Sequence, residues 1–286
     1  MRNACRHLLA TGFAALCSTA AIAQHKVEML PFGDMDQWVN REIKESGIIG
    51  GHTKNVYAVG PTQTITGAKA YKNLGGSPWA TSNVLAKVAG VVKTNTSVFP
   101  EERGDGYCAR LDTRMESVKV FGLVDITVLA AVSMFLGSVH EPIKGTKNPN
   151  KMLEMGIPFT KRPIALQFDY KVKMSDRENR IRATGFSKIT DVAGKDFPAA
   201  ILLLQKRWED ADGNIFAKRV GTMVVRYYTT TDWHNNATYE ILYGDITGNP
   251  AYKAHMMRLQ VEERYALNSK GESVPVHEVA WGEEGD

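Results

Sequence analysis

One run constrains the fold more than any other: Pro163-Ile-Ala-Leu-Gln-Phe-Asp-Tyr-Lys-Val-Lys-Met174. Ile164, Leu166, Phe168, Tyr170, Val172 and Met174 fall on one side, and Gln167, Asp169, Lys171 and Lys173 on the other. This period of two is that of a half-buried β-strand. Pro158 and Pro163 set the approach, since each fixes its own φ, removes a backbone donor and pushes its predecessor toward extended geometry. A strand this regular implies a sheet with one dry face and one wet face.

Shorter strand-like runs recur along the chain, at 55–59, 62–65, 84–92, 107–112, 118–139 (two buried strands), 199–208, 215–228 and 238–243. Turn residues punctuate them. Glu209-Asp-Ala-Asp-Gly-Asn214 carries the Asp-Gly pair of a tight hairpin and joins two of these strands. Residues 140–155 read as a long loop, and only 249–265 looks helical or irregular. This spacing of short strands predicts an all-β fold, a jelly-roll β-sandwich of two antiparallel sheets.

The beginning of the chain reads as a secretory signal peptide over residues 1–23: Arg2 and Arg6, an apolar stretch from Leu8 to Leu16, and an Ala21-Ile22-Ala23 cleavage site. Leu16 before Cys17 does not suit a lipoprotein signal. The expected mature chain is then a single domain over 24–286, exported to the periplasm, outer-membrane surface or extracellular space. It keeps Cys108 alone, so no internal disulfide is expected, and Cys108 reads as a packing residue. The longest uncharged apolar stretch, 126–139, is shorter than the roughly 20 residues that cross a bilayer. Loss of Arg2 and Arg6 brings the formal charge of +4 to about +2, too weak and dispersed for a nucleic-acid footprint.

Signatures of catalysis are missing. The sequence holds no His-Glu-x-x-His, P-loop, Gly-x-Ser-x-Gly or Gly-x-Gly-x-x-Gly pattern. Glu101, Glu102, Asp105, Glu209, Asp210, Asp212 and Glu240 are candidate carboxylates for glycoside hydrolysis, which needs a facing pair. Asp210-x-Asp212-x-Asn214 imitates a calcium loop but lacks its later glycine and glutamate, and a turn is the better reading. A structural calcium attaches more naturally to Asp34 and Asp36 in Gly33-Asp-Met-Asp-Gln-Trp38, where carboxylates stand beside loop carbonyls.

Loop aromatics carry the binding expectation. A sugar offers apolar C–H faces and a rim of hydroxyls, so its site wants a ring beside amides, carboxylates or Arg. Trp79 with Asn83 has that composition, and so does Trp233 with Asp232 and Asn235. Trp208 reads as a core residue.

Four blocks in order, Ser77-Pro-Trp-Ala-Thr-Ser-Asn83, Gly106-Tyr-Cys-Ala-Arg-Leu-Asp-Thr113, Met134-Phe-Leu-Gly137 and Gly156-Ile-Pro-Phe-Thr-Lys-Arg-Pro-Ile-Ala-Leu-Gln-Phe-Asp-Tyr-Lys171, resemble the putative carbohydrate metabolism domain (PCMD) family. That family comprises secreted or surface proteins of Bacteroides-type bacteria, and the resemblance is strongest over 76–286. It implies a jelly-roll sandwich with a role in carbohydrate handling and no agreed catalytic residues. Pro31-Phe-Gly-Asp-Met-Asp-Gln-Trp38 also resembles the opening strand of jelly-roll carbohydrate-binding modules, which implies a structural calcium near Asp36. The ending Trp281-Gly-Glu-Glu-Gly-Asp286 lacks the closing strand of such modules, so terminal strands are expected to be missing. The resulting expectation is a non-catalytic module that binds a polysaccharide or glycan. The alternatives are a glycoside hydrolase or polysaccharide lyase on the same fold, and a surface adhesion or structural protein.

Overall fold

The middle of the alternating run, Ala165–Tyr170, does form a strand, one of many, while Ile164 at its start is 55% exposed. A computed structural model describes residues 26–46, 51–88, 90–120, 124–130, 132–144, 148–183, 188–256, 258–260, 264–283 and 285–286, in which the chain is nearly all β. The expected signal peptide lies outside the described residues. Pro31–Asp286 form one compact unit, which holds all the strands named below.

In chain order the strands are β1 (Trp38–Lys44), β2 (Thr53–Val59), β3 (Gln63–Thr66), β4 (Trp79–Thr81), β5 (Val84–Val88), β6 (Val91–Asn95), β7 (Val98–Arg103) and β8 (Gly106–Leu111). Next come β9 (Arg114–Val120), β10 (Val124–Ala130), β11 (Met134–Val139), β12 (Leu153–Met155), β13 (Ala165–Tyr170), β14 (Arg180–Ala183) and β15 (Ile189–Val192). The last group is β16 (Ala199–Glu209), β17 (Ile215–Arg226), β18 (His234–Glu240), β19 (Leu242–Tyr243), β20 (Tyr265–Leu267) and β21 (Ser273–Trp281). Where 249–265 is described, it is a series of turns leading into β20.

β1 is flanked by β2 and β3, and β11 by β4 and β12. β5–β6, β7–β8, β9–β10 and β14–β15 are antiparallel pairs between consecutive strands, while β13 pairs with the distant β18. The largest sheet runs β16-β17-β21-β20, with β19 also on β17. Among the described residues two strand pairings are parallel, β1 with β3 and β17 with β21, and each needs a crossover connection rather than a hairpin. The all-β expectation holds, with these parallel contacts added to a purely antiparallel scheme.

Alternation decides which residues pack. Trp38, Val59 and Val98 are buried together, with Phe32, Met35, Tyr57, Trp79, Ala109 and Met134 against them. Each fully buried apolar side chain of this kind contributes roughly 1.5–3 kcal/mol. Trp38 can be buried because its indole N–H donates to the Met35 carbonyl at 2.6 Å.

Two buried ion pairs tie distant strands. Arg41 on β1 donates through Nη1 and Nη2 to Glu141 at 3.1 and 2.6 Å, and both side chains are almost inaccessible. Glu141 also accepts the backbone N–H groups of Tyr71 and Leu85, so one carboxylate gathers β1, the 69–71 segment and β5. In the large sheet Arg219 on β17 pairs with Glu278 on β21, which also accepts from Gln205 on β16. Burial alone would raise the Glu278 carboxyl, but the hydrogen bonds from Arg219 and Gln205 hold it below the ordinary glutamate value.

One core expectation is overturned. Trp208 is 43% exposed and stacks on Phe216 of the neighbouring strand, ring centres 5.9 Å apart. Its strand, β16, lies at the end of the large sheet, so a ring there has a neighbour on one side only.

Candidate functional site

Four of the expected residues, Asp36, Asn83, Trp233 and Asn235, contact one element, the β7–β8 hairpin. Its turn is Gly104-Asp105, with Gly104 at φ 59°, where glycine carries no steric penalty. Gly106 opens β8 under Asp36: a Cβ there would come within 2.2 Å of Asp36 Oδ1, and that same oxygen accepts the Tyr107 N–H at 2.7 Å. Asp36 therefore brackets the hairpin to the segment before β1.

Alternation along β7 puts Phe99, Glu101 and Arg103 on one face. Cross-strand contacts agree: Arg110, opposite Phe99, lies 4.8 Å from its ring centre and donates to Glu101 at 2.9 Å. Cys108 shares this face, where burial and the nearby Glu101 carboxylate push its thiol up, so it is not an activated thiolate. From Phe99 to Arg103 the face is about 13 Å long at roughly 3.3 Å per residue.

At the turn end, Arg103 reaches Trp233 and the start of β18, where the sequence suggests a loop through 237. Its guanidinium lies over Trp233, 3.9 Å from the ring centre, while Nη2 bonds Asn235 Oδ1 at 2.5 Å and Asp169 Oδ2 at 2.8 Å. Asp169 is aimed there by a β-bulge: Asn235 and Asn236 together stand opposite Asp169, between the pairs Phe168–Ala237 and Tyr170–His234. Asp169 Oδ1 also accepts the Asn236 N–H at 2.7 Å. That bond and the one from Arg103 hold the Asp169 carboxyl below the ordinary aspartate value. Asp232 is exposed and pairs with Lys171 at 3.1 Å, which lowers its carboxyl likewise. Trp233 and Asn235 are thus brought together around an arginine from a distant strand, while Asp232 pairs with Lys171.

At the other end, Lys54, Asn55, Tyr57, Thr96, Phe99 and Arg114 line an open cavity of about 230 Å³. Tyr57 and Phe99 form its aromatic part, ring centres 6.1 Å apart and tilted by 59°. Arg114 Cζ stands 4.5 Å from the Phe99 ring centre.

Trp79 and Asn83 are placed differently from their expectation. Asn83 is 5% exposed, and its amide is fully engaged. Nδ2 donates to the carbonyls of Tyr57 and Val98 at 2.8 and 2.6 Å, and Oδ1 accepts the N–H groups of Ser97 and Val98 at 2.7 and 2.8 Å. It pins β2 to the start of β7, behind the cavity. Trp79 is half-buried against the Trp38 cluster and donates its indole N–H to the Pro31 carbonyl at 2.9 Å. Both residues support the hairpin face from behind.

For calcium, Asp34 Oδ1 accepts the Asp36 N–H at 3.3 Å and Asp36 Oδ1 accepts that of Tyr107. Among the described residues no three His, Cys, Asp or Glu side chains converge as ligands. The Asp34–Asp36 pair alone does not provide the six to eight oxygens of a calcium shell, and the bracket to Tyr107 gives Asp36 a role of its own. The Asp210 motif is a turn, as expected: Asp210 Oδ1 accepts the N–H groups of Asp212 and Asn214. Of the candidate catalytic carboxylates, Glu101 is held by Arg110 and Glu209 by Ser269, and no acidic residue lines the cavity.

Sequence reading did not find Lys54, Tyr57, Phe99, Arg103, Arg114 or the part played by Asp169. The usable signal was the alternation Phe99, Glu101, Arg103. It was hidden because Glu101-Glu-Arg-Gly-Asp-Gly106 has the composition of a polar loop, although its first three residues end β7.

A family model described as Putative carbohydrate metabolism domain matches residues 55–194. The match starts upstream of the blocks seen in the sequence and takes in all but Lys54 of the cavity lining, while residues 232–236 fall beyond it. No curated protein and no solved structure matches the chain.

Proposed function

From the match of residues 55–194 to the Putative carbohydrate metabolism domain family, we propose that the chain is a non-catalytic carbohydrate-binding module whose ligand lies along the β7–β8 face. The observation that carries the reading is the guanidinium of Arg103 held over Trp233 by Asp169 and Asn235. An aromatic body beside fixed donors and acceptors suits a pyranose, which needs an apolar contact for its C–H face and directed partners for its hydroxyls. Gln167 and Thr238, hydrogen-bonded to each other at 2.9 Å on the same β13–β18 pair, extend the polar rim.

The module is proposed to be exported by its N-terminal leader and to act outside the cytoplasm, on a sandwich of jelly-roll type. A shallow face buries little of its ligand, so affinity per site is modest. No helix among the described residues is long and apolar enough to cross a membrane.

A panel of plant and host polysaccharides, read by titration calorimetry and by tryptophan emission, tests the proposal. Binding of at least one glycan is expected, weakened by Trp233→Ala. Absence of binding across the panel, or binding untouched by Trp233→Ala, removes it.

A further inference from the structure

The Phe99 cavity differs in kind from the Trp233 end of the face. Among its six lining residues are two cations, Lys54 and Arg114, two aromatic rings and two small polar groups, with no carboxylate. A third cation, Arg110, lies over the same Phe99 ring. Each of these cations has a carboxylate partner, and none of those carboxylates is among the residues that line the cavity. Asp112 accepts from Nε and Nη2 of Arg114 at 3.2 and 2.9 Å, and Glu101 accepts from Arg110. Glu45 stands 3.7 Å from Lys54 and is itself buried, with its carboxylate already accepting the backbone and hydroxyl of Thr94.

Arg114 is thereby fixed in orientation, and no carboxylate stands among the groups that line the cavity. Asp112 holds one edge of Arg114, and Phe99 holds its plane. A guanidinium so oriented favours a planar carboxylate, because its donors match the two oxygens. Tyr57 and Phe99 add apolar contact for the ring that carries the carboxylate. Thr96 Oγ and the Asn55 backbone, bonded at 2.8 Å, supply polar edges for hydroxyls.

We infer that the cavity lined by Lys54, Tyr57, Phe99 and Arg114 is a subsite for a uronic acid unit, so that the module selects acidic over neutral glycans. The inference rests on the carbohydrate-binding reading and deepens it by naming the ligand class.

The test uses the whole chain with polygalacturonate and glucuronoxylan, and with the same polymers after carboxyl reduction. Reduction turns each carboxylate into a neutral alcohol and leaves the linkages intact. The acidic form is expected to bind at least about tenfold more tightly, the scale of one charge-assisted hydrogen bond. That preference should shrink as salt screens it. Arg114→Gln and Lys54→Met, checked for folding by circular dichroism, are expected to lose the preference. Equal binding of both forms, or a preference unchanged in both variants, overturns the inference and leaves the carbohydrate reading standing. If neither form of any polymer binds and the neutral panel is also silent, the carbohydrate reading itself falls.

Discussion

The guanidinium of Arg103 lies 3.9 Å from the centre of the Trp233 indole, joining the turn end of the β7–β8 hairpin to a loop far along the chain. The same guanidinium is held by Asp169 and Asn235, so the ring, the cation and both polar partners are fixed as one group.

Arg103→Ala removes a cation–π contact worth about 0.5–1 kcal/mol at an exposed site, together with both polar bonds. Glycan affinity is expected to fall roughly tenfold. Tryptophan emission should shift toward that of a hydrated indole. Arg103→Lys keeps the charge but loses the planar fork, so an intermediate loss is expected. Wild-type affinity in Arg103→Ala would show that the group takes no part in binding.

The Asp169 carboxyl is held below its ordinary value, which gives the pH effect its sign. A group with a depressed folded pKa stabilises the folded arrangement above its unfolded pKa, and loses that contribution as pH falls through the folded value. The Trp233 signal is therefore expected to stay constant from pH 7 to about 5 and to change only below about pH 4. In Asp169→Asn this acid transition should be absent; its persistence would assign it to another carboxylate.

Asn83→Ala leaves the N–H groups of Ser97 and Val98 and two carbonyls without their partner inside the fold. Each buried group left unsatisfied costs roughly 1–3 kcal/mol, so a loss of at least about 2 kcal/mol is expected in denaturant unfolding. A near-neutral result would show that Asn83 is not the bracket described.

Glu141→Gln removes the countercharge of the buried Arg41. Breaking such a pair typically destabilises by about 3–5 kcal/mol. Denaturant titration that finds less than about 1 kcal/mol would mean that water reaches Arg41.

Asp36 separates two accounts of the N-terminal motif. As a bracket for Tyr107 N–H it should be sensitive to Asp36→Ala, with a loss of about 1 kcal/mol, and indifferent to calcium. A rise in melting temperature on adding calcium after chelation, abolished by Asp36→Ala, would restore the calcium expectation.

The fold class was legible because the alternation of Ile164 to Met174 is a local consequence of backbone geometry, as is the Asp-Gly turn at 212–213. Proximity in space was not. Asn83 and Trp233 both sit among polar neighbours in sequence, yet Asn83 is buried by β2 and β7 while Trp233 meets an arginine from another hairpin. Composition cannot separate these cases, because an amide that satisfies strand ends looks the same as one that binds a hydroxyl. Trp208 failed differently: it follows the apolar run Ala199 to Leu204, but its strand lies at the end of its sheet.

The most direct test of the account is the position of a bound oligosaccharide in a crystal structure of the complex. The prediction is sugar density along the β7–β8 face, in contact with Arg103 or Trp233 at one end and Phe99 at the other. An ordered sugar elsewhere, for example on the exposed Trp208 ring, with this face empty, would contradict it.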